Sequence, residues 1–90
     1  MKSNIGFYIN LIEDLLANKI LPEAFERVFP YVFNRDNEIN QKEYKILNRL
    51  FMAAEDFVSN PEIRDDTDID EDELKKIAKE VLEELKIFSV

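Results

Sequence analysis

The amino-acid sequence predicts an all-α fold, a compact antiparallel four-helix bundle. Apolar residues recur at spacings of three and four, as in amphipathic helices, and the 90 residues include only one Gly and three Pro. No useful length of chain alternates between apolar and polar residues, as a half-buried strand does. The sequence contains four apolar stripes with helical spacing, joined by short connections. This pattern favours helices that cover one another's apolar faces. We predict a single domain over residues 1–90, with helices at about 4–18, 22–34, 41–59 and 71–87.

The first two helices are predicted from an apolar stripe and from the placement of proline. Apolar residues between Ile5 and Leu16 follow one face of the first helix. Pro22 suits the first turn of the second helix, where its missing N–H group costs no hydrogen bond. Pro30 removes the bond to the carbonyl group of Glu26, so we expect the second helix to kink or to end early there.

The last two helices begin at matching capping motifs. Asn40 precedes Glu43 by three residues, and Asp70 precedes Glu73 in the same way. A side-chain acceptor followed three residues later by Glu is a signature of a helix start. The Asn-Pro pair at residues 60–61 is expected to stop the third helix.

The composition excludes several classes of function. The chain has no His and no Cys, and its 20 acidic and 12 basic residues give a net charge of −8. Histidine or thiol catalysis and zinc–thiolate sites are therefore excluded, and we predict neither an enzyme nor a cofactor or metal site. The negative charge disfavours direct binding to nucleic acid or to an anionic membrane. Without an apolar run of about 20 residues or the apolar core of a signal peptide, we expect a cytoplasmic protein, monomeric when free.

Negative charge is concentrated in the second half of the chain. Residues 1–45 carry a net charge of −1 and residues 46–90 a net charge of −7. Between residues 55 and 73, ten side chains are acidic and only Arg64 is basic. Acidic residues at 70–73 suit the start of a helix, whereas Glu55 and Asp56 come late in the third helix, where the helix dipole disfavours anions.

Three interpretations of this acidic segment are considered: a solvated loop with capping charges, a calcium loop, and a surface for a basic partner. An EF-hand loop that began at Asp66 would need Gly at its sixth position and Glu at its twelfth. Those positions hold Glu71 and Ile77, and the register that begins at Asp68 fails as well. An enzyme built on carboxylates would need a concave pocket, whereas these acids follow a loop. Clustered carboxylates on a rigid scaffold would instead speed association with an electropositive protein.

The third helix and the loop that follows it carry a recognisable motif. Leu-Phe-Met-Ala-Ala-Glu at residues 50–55 precedes an acidic loop with one proline, and Ile69, Asp70 and Leu74 then open the final helix. This arrangement resembles the bacterial self-protective colicin-like immunity proteins, and among them the colicin D type. The first half is similar more loosely, through Lys19 and Ile20 at the end of the first helix and Phe25 in the second.

The resemblance implies a four-helix bundle that binds the C-terminal nuclease domain of a cognate toxin and blocks its active site. In the colicin D type, that domain cleaves transfer RNA, and acidic side chains of the inhibitor take the place of the RNA backbone. The Glu that closes the motif contacts the toxin there, which implies this role for Glu55. Asp56 departs from that type, which has a basic residue at this point, and the loop is more acidic here.

Helical spacing separates the motif into core and surface. Leu50, Phe51 and Ala54 lie on the apolar stripe and are predicted to be core, as is Phe57. Met52 lies off the stripe, and Glu55 and Asp56 point away from it. The residues predicted to bind the toxin are Met52, Glu55, Asp56, Glu62, Asp65, Asp66 and Asp68. The alternative prediction is an acidic interaction module, or a nucleic-acid mimic, for a different basic partner.

Overall fold

Four helices arranged in a ring make up the computed structural model, which describes residues 5–58, 60, 62, 63, 65, 66 and 68–89. Each helix contacts the next one along the chain, and α4 returns to contact α1. The described residues form no strand, and their one isolated bridge is a parallel pairing of Phe57 with Ile69. The predicted all-α four-helix bundle is confirmed. Its helices are α1 (Ile5–Leu16), α2 (Pro22–Arg35), α3 (Gln41–Asp56) and α4 (Glu71–Ser89).

The predicted helix starts are confirmed at α2, α3 and α4. Pro22 occupies the first turn of α2. The side chain of Asn40 accepts a hydrogen bond from the backbone N–H of Glu43 at 2.8 Å. Asp70 accepts one from the N–H of Glu73 at 2.9 Å. Each acceptor pairs a backbone donor that has no partner within its own helix. The predicted start of α1 at residue 4 lies outside the described residues.

The predicted end of α3 at residue 59 is wrong, because the helix ends at Asp56. Phe57 adopts an extended conformation, with φ −71° and ψ 127°. The N–H of Ile69 donates to the carbonyl oxygen of Asp56 at 2.9 Å, and the N–H of Val58 donates to that of Ile69 at 3.1 Å. The bond from Ile69 pairs a carbonyl group at the helix end that has no partner inside the helix. A contact between segments twelve residues apart therefore ends α3.

Three smaller boundary predictions also differ from the structure. Helix α2 does not end early at Pro30 but continues to Arg35, so that Phe33 is buried in the core. Helix α1 ends at Leu16, two residues before the predicted end, and Asn18 adopts a left-handed conformation with φ 63°. Asparagine tolerates this conformation better than most residues, and it commonly ends helices. Helix α4 continues two residues further than predicted, to Ser89.

The core is aromatic between α1 and α2 and aliphatic between α3 and α4. The rings of Phe25, Phe29 and Phe33 stack in sequence with centroids 5.4 and 5.6 Å apart, and Tyr8 meets Phe29 edge-on at 5.8 Å. The buried residues of the other two helices are aliphatic apart from Glu43. Of the motif residues predicted to be core, Leu50, Ala54 and Phe57 are buried, whereas Phe51 is partly buried against the cluster.

Candidate functional site

The outer face of α3 carries three of the predicted site residues. Met52 lies on the side of the helix opposite the buried Leu50 and Ala54, and 58% of its surface is exposed. Glu55 and Asp56 are also exposed, three and four residues further on, so they flank Met52 on the same face. The side-chain amide of Asn48, one turn earlier, lies 3.9 Å from the sulfur of Met52. The structure therefore brings these three predicted residues together.

The backbone pairing of Phe57 with Ile69 holds the acidic loop at the end of α3. Phe57 is buried, and Ile69 packs against the core from the other end of the loop. The segment between them thus leaves and returns at one place, directly beside Asp56. Loops whose ends are close together in this way form compact surface units. The bridge therefore fixes both ends of the loop at the end of α3.

Within the loop, two side chains hold the backbone in turns. Asn60 Oδ1 accepts a hydrogen bond from the N–H of Glu62 at 3.0 Å. Asp68 Oδ2 accepts one from the N–H of Asp65, also at 3.0 Å, and the N–H of Asp68 donates to the carbonyl oxygen of Asp65 at 3.2 Å. Such side-chain bonds to nearby backbone groups stabilise turns. Asp68 is half-buried and shapes the loop, whereas Glu62, Asp65 and Asp66 are exposed.

The acidic residues that follow the loop are occupied by local bonds. The carboxylate of Asp70 caps α4. Glu71 forms an ion pair with Lys75 at 2.9 Å, and Lys75 also donates to the side chain of Asn18. These carboxylates stabilise the start of α4, and Lys75 links α4 to the segment that follows α1. Their local bonds account for part of the acidity of the chain without a binding partner.

The carboxylates nearer α3 differ in this respect. In the part of the chain that the structure describes, no ion pair involves Glu55, Asp56, Glu62 or Asp66. On the α4-facing side of α3, by contrast, Arg49 bonds both Glu80 and Glu84. One side of α3 is thus paired with the neighbouring helix, whereas these four exposed carboxylates form no ion pair among the described residues. We call Met52, Glu55, Asp56, Glu62, Asp65, Asp66 and Asp68 the acidic surface.

The described residues offer no three acidic side chains placed to hold a metal ion. In the segment considered as a calcium loop, the carboxylate of Asp68 instead bonds a backbone N–H of its own loop. None of the described helices has both the length and the apolar character needed to cross a membrane.

Sequence reasoning missed two features of this site. Ile63 lies in the loop with 71% of its surface exposed. The pairing of Phe57 with Ile69 was also missed, although an apolar residue at each end of a polar segment was a weak signal for it. Helical periodicity does not extend into the loop, so no stripe pointed to either feature.

Comparison with known protein families decides what kind of protein this is. The model of the family described as bacterial self-protective colicin-like immunity matches residues 3–85. The chain belongs to this family. No curated protein and no solved structure matches it. Membership confirms the resemblance seen in the motif, and it gives this immunity protein a colicin-like toxin as its binding partner. The colicin D type and the individual contact residues stay predictions.

Proposed function

We propose that this immunity protein neutralises a toxin whose C-terminal domain is a ribonuclease that cleaves transfer RNA. The acidic surface would occupy the cleft that binds the RNA substrate, with Glu55 closest to the catalytic centre. Family membership supports the role of toxin inhibitor. The chemistry of the surface supports the choice of a nuclease among possible toxins.

The observation that carries this proposal is the set of exposed carboxylates without ion pairs among the described residues. Glu55 and Asp56 extend from a helix end, and Glu62 and Asp66 from a loop that is pinned beside it. A ribonuclease binds phosphates through cationic side chains. Carboxylates held at fixed positions can bond the same cations, and such charge-assisted hydrogen bonds are about twice as strong as neutral ones.

Charge also bears on how fast the two proteins meet. A net charge of −7 over residues 46–90 attracts a basic domain before contact and orients the approach. The Debye length falls to about 8 Å at physiological ionic strength, so this attraction weakens as salt rises. We therefore expect the association rate constant to fall steeply between low and physiological salt.

The test begins with the purified C-terminal domain of the cognate toxin and its activity on transfer RNA. We expect one equivalent of the immunity protein to form a complex and to abolish cleavage. Glu83→Ala, which changes an exposed carboxylate on α4 away from the acidic surface, should inhibit as well as the wild type. A complex that still cleaves transfer RNA would contradict blockage of the active site. A toxin domain without nuclease activity would rule out the proposed target class.

A further inference from the structure

Ile63 lies in the loop next to Glu62 of the acidic surface and differs from the residues of that surface in the loop by being apolar. Among the described residues from 60 to 68, it is the one apolar residue, and 71% of its surface is exposed. A side chain left in water adds little to the stability of the fold, because it removes little apolar area from the solvent. Single exposed apolar residues are common on protein surfaces, so exposure alone assigns no role. Its setting does.

The loop holds Ile63 in a defined position. Its N–H donates to the carbonyl oxygen of Asn60 at 3.2 Å, and the side chain of Asn60 accepts the N–H of Glu62. The ends of the loop are held together by the pairing of Phe57 with Ile69. A loop whose backbone is held in this way before a partner arrives loses less conformational entropy on binding than a free segment.

A second exposed apolar side chain belongs to the acidic surface itself. Met52 is 58% exposed on the outer face of α3, one turn before Glu55 and Asp56. Met52 and Ile63 thus add two exposed apolar groups, one on the helix and one in the loop, to segments that carry the carboxylates of the acidic surface. Protein–protein interfaces have this composition, in which apolar anchors enter pockets and polar groups surround them.

We propose that Ile63, together with Met52, anchors the toxin domain once it has bound. The partner would be a toxin domain whose basic surface contains apolar depressions that receive these two side chains. Charge complementarity with the surrounding carboxylates identifies the occupant as a basic protein, and the inference rests on the function proposed above. The carboxylates speed the association of the toxin domain, and the two apolar side chains slow its dissociation.

This division of roles has a kinetic consequence. Charges at the edge of an interface change mainly the association rate and its dependence on salt. Apolar side chains that are buried on binding act at short range and change mainly the dissociation rate. Ile63 and Glu55 should therefore affect different rate constants of the same complex.

The experiment compares Ile63→Ala with Ile87→Ala by measuring association and dissociation rates with the toxin domain at low and physiological salt. The two isoleucines are matched, since 71% and 77% of their surfaces are exposed, and Ile87 lies near the far end of α4. We expect Ile63→Ala to raise the dissociation rate roughly tenfold, with the association rate and its salt dependence unchanged. Met52→Ala should act in the same direction, Ile63→Val should retain most of the residence time, and Ile87→Ala should match the wild type.

Equal dissociation rates for Ile63→Ala and Ile87→Ala would overturn the inference while leaving the proposed function intact, because the wild type would still bind. A slower association for Ile63→Ala with an altered salt dependence would also overturn it, since that is the behaviour of a charge effect. A wild-type protein that does not bind the toxin domain would overturn both proposals.

Discussion

The two halves of the bundle differ in their cores and in their surfaces. Between α1 and α2 the core is a stack of aromatic rings, and residues 1–45 carry a net charge of −1. Between α3 and α4 the core is built from smaller aliphatic side chains, and residues 46–90 carry a net charge of −7. The half that presents the charge is therefore not the half with the largest buried rings.

This difference indicates how a small domain can hold many like charges close together. Repulsion among carboxylates destabilises a compact state, so burial elsewhere must offset it. Phe33 of α2 packs against α3, because its ring lies 5.1 Å from that of Tyr44 and 5.2 Å from that of Phe51. It thus couples the aromatic core to the helix that carries part of the acidic surface. On this view, changes in the first half should alter folding stability, and changes in the acidic surface should alter toxin binding.

The largest effect on folding is expected for Phe29→Ala. Phe29 is fully buried, and its ring lies between those of Phe25 and Phe33. Removing a buried ring leaves a cavity and typically costs about 3–5 kcal/mol. Urea denaturation should show this loss in the free energy of unfolding, with Phe29→Leu less affected. Phe7→Ala is the control, since Phe7 is 46% exposed and should lose far less. Equal losses at both positions would contradict an aromatic core as the main source of stability.

The largest effect on binding is expected for Glu55→Ala. Removing one member of a desolvated charge pair costs about 2–5 kcal/mol, largely because the other charge stays buried and unpaired. A calorimetric titration with the toxin domain should show this loss of affinity for Glu55→Ala but not for Glu83→Ala. Both carboxylates are exposed in the free protein, so their replacement should leave the melting temperature nearly unchanged. The same affinity for both variants would remove Glu55 from the interface.

A smaller effect on stability is expected where Tyr8 joins α1 to the α2–α3 connection. Its hydroxyl group donates to Asp36 Oδ2 at 2.7 Å, and burial, together with this bond, raises the pKa of Tyr8. The folded state thus favours the protonated phenol, whereas the unfolded chain loses that proton near pH 10. The stability from this group is complete below about pH 10 and is lost as pH rises towards the folded-state pKa.

Tyr8→Phe tests this linkage. It should cost about 1–3 kcal/mol near neutral pH, because a hydrogen bond to a charged acceptor is lost. Unfolding by urea at about pH 8 and about pH 11 should show a smaller alkaline loss of stability for Tyr8→Phe than for the wild type. Tyr31→Phe, at a residue 59% exposed, is the control and should keep the wild-type dependence on pH. A wild-type slope that Tyr8→Phe leaves unchanged would assign the alkaline effect to other groups.

The smallest effects are expected at the two helix caps. One cap lies in residues 1–45 and the other in residues 46–90, so their variants compare the two halves of the chain. Asn40→Ala and Asp70→Ala each remove one bond to a backbone N–H and should each cost about 1 kcal/mol in unfolding free energy. Asp70→Asn keeps the acceptor and should restore most of the stability. The association rate with the toxin domain should distinguish the two variants. Loss of the negative charge of Asp70 should slow association, whereas Asn40→Ala should not change it. A slower association for Asn40→Ala, which changes no charge, would show that loss of a helix cap by itself impairs binding and would contradict a charge effect at Asp70.

Features that depend on neighbouring residues could be predicted. Both caps act over three residues, and the exposure of Met52, Glu55 and Asp56 follows from helical spacing around the buried Leu50. The end of α3 could not be predicted in this way, because it depends on Ile69 twelve residues beyond Phe57. The continuation of α2 past Pro30 likewise depends on packing, which places Phe33 among rings from three helices.

Four helices, their polar faces and the unequal charge of the two halves follow from the order of the residues alone, because periodicity, capping and charge are properties of short segments. Packing decided which of the charges are paired. Arg49 bonds carboxylates 31 and 35 residues away, while the described structure brings no such cation to Glu55 or Asp56. Packing also brought both ends of the acidic loop to the end of α3, because contacts between distant segments exist only once the helices have met.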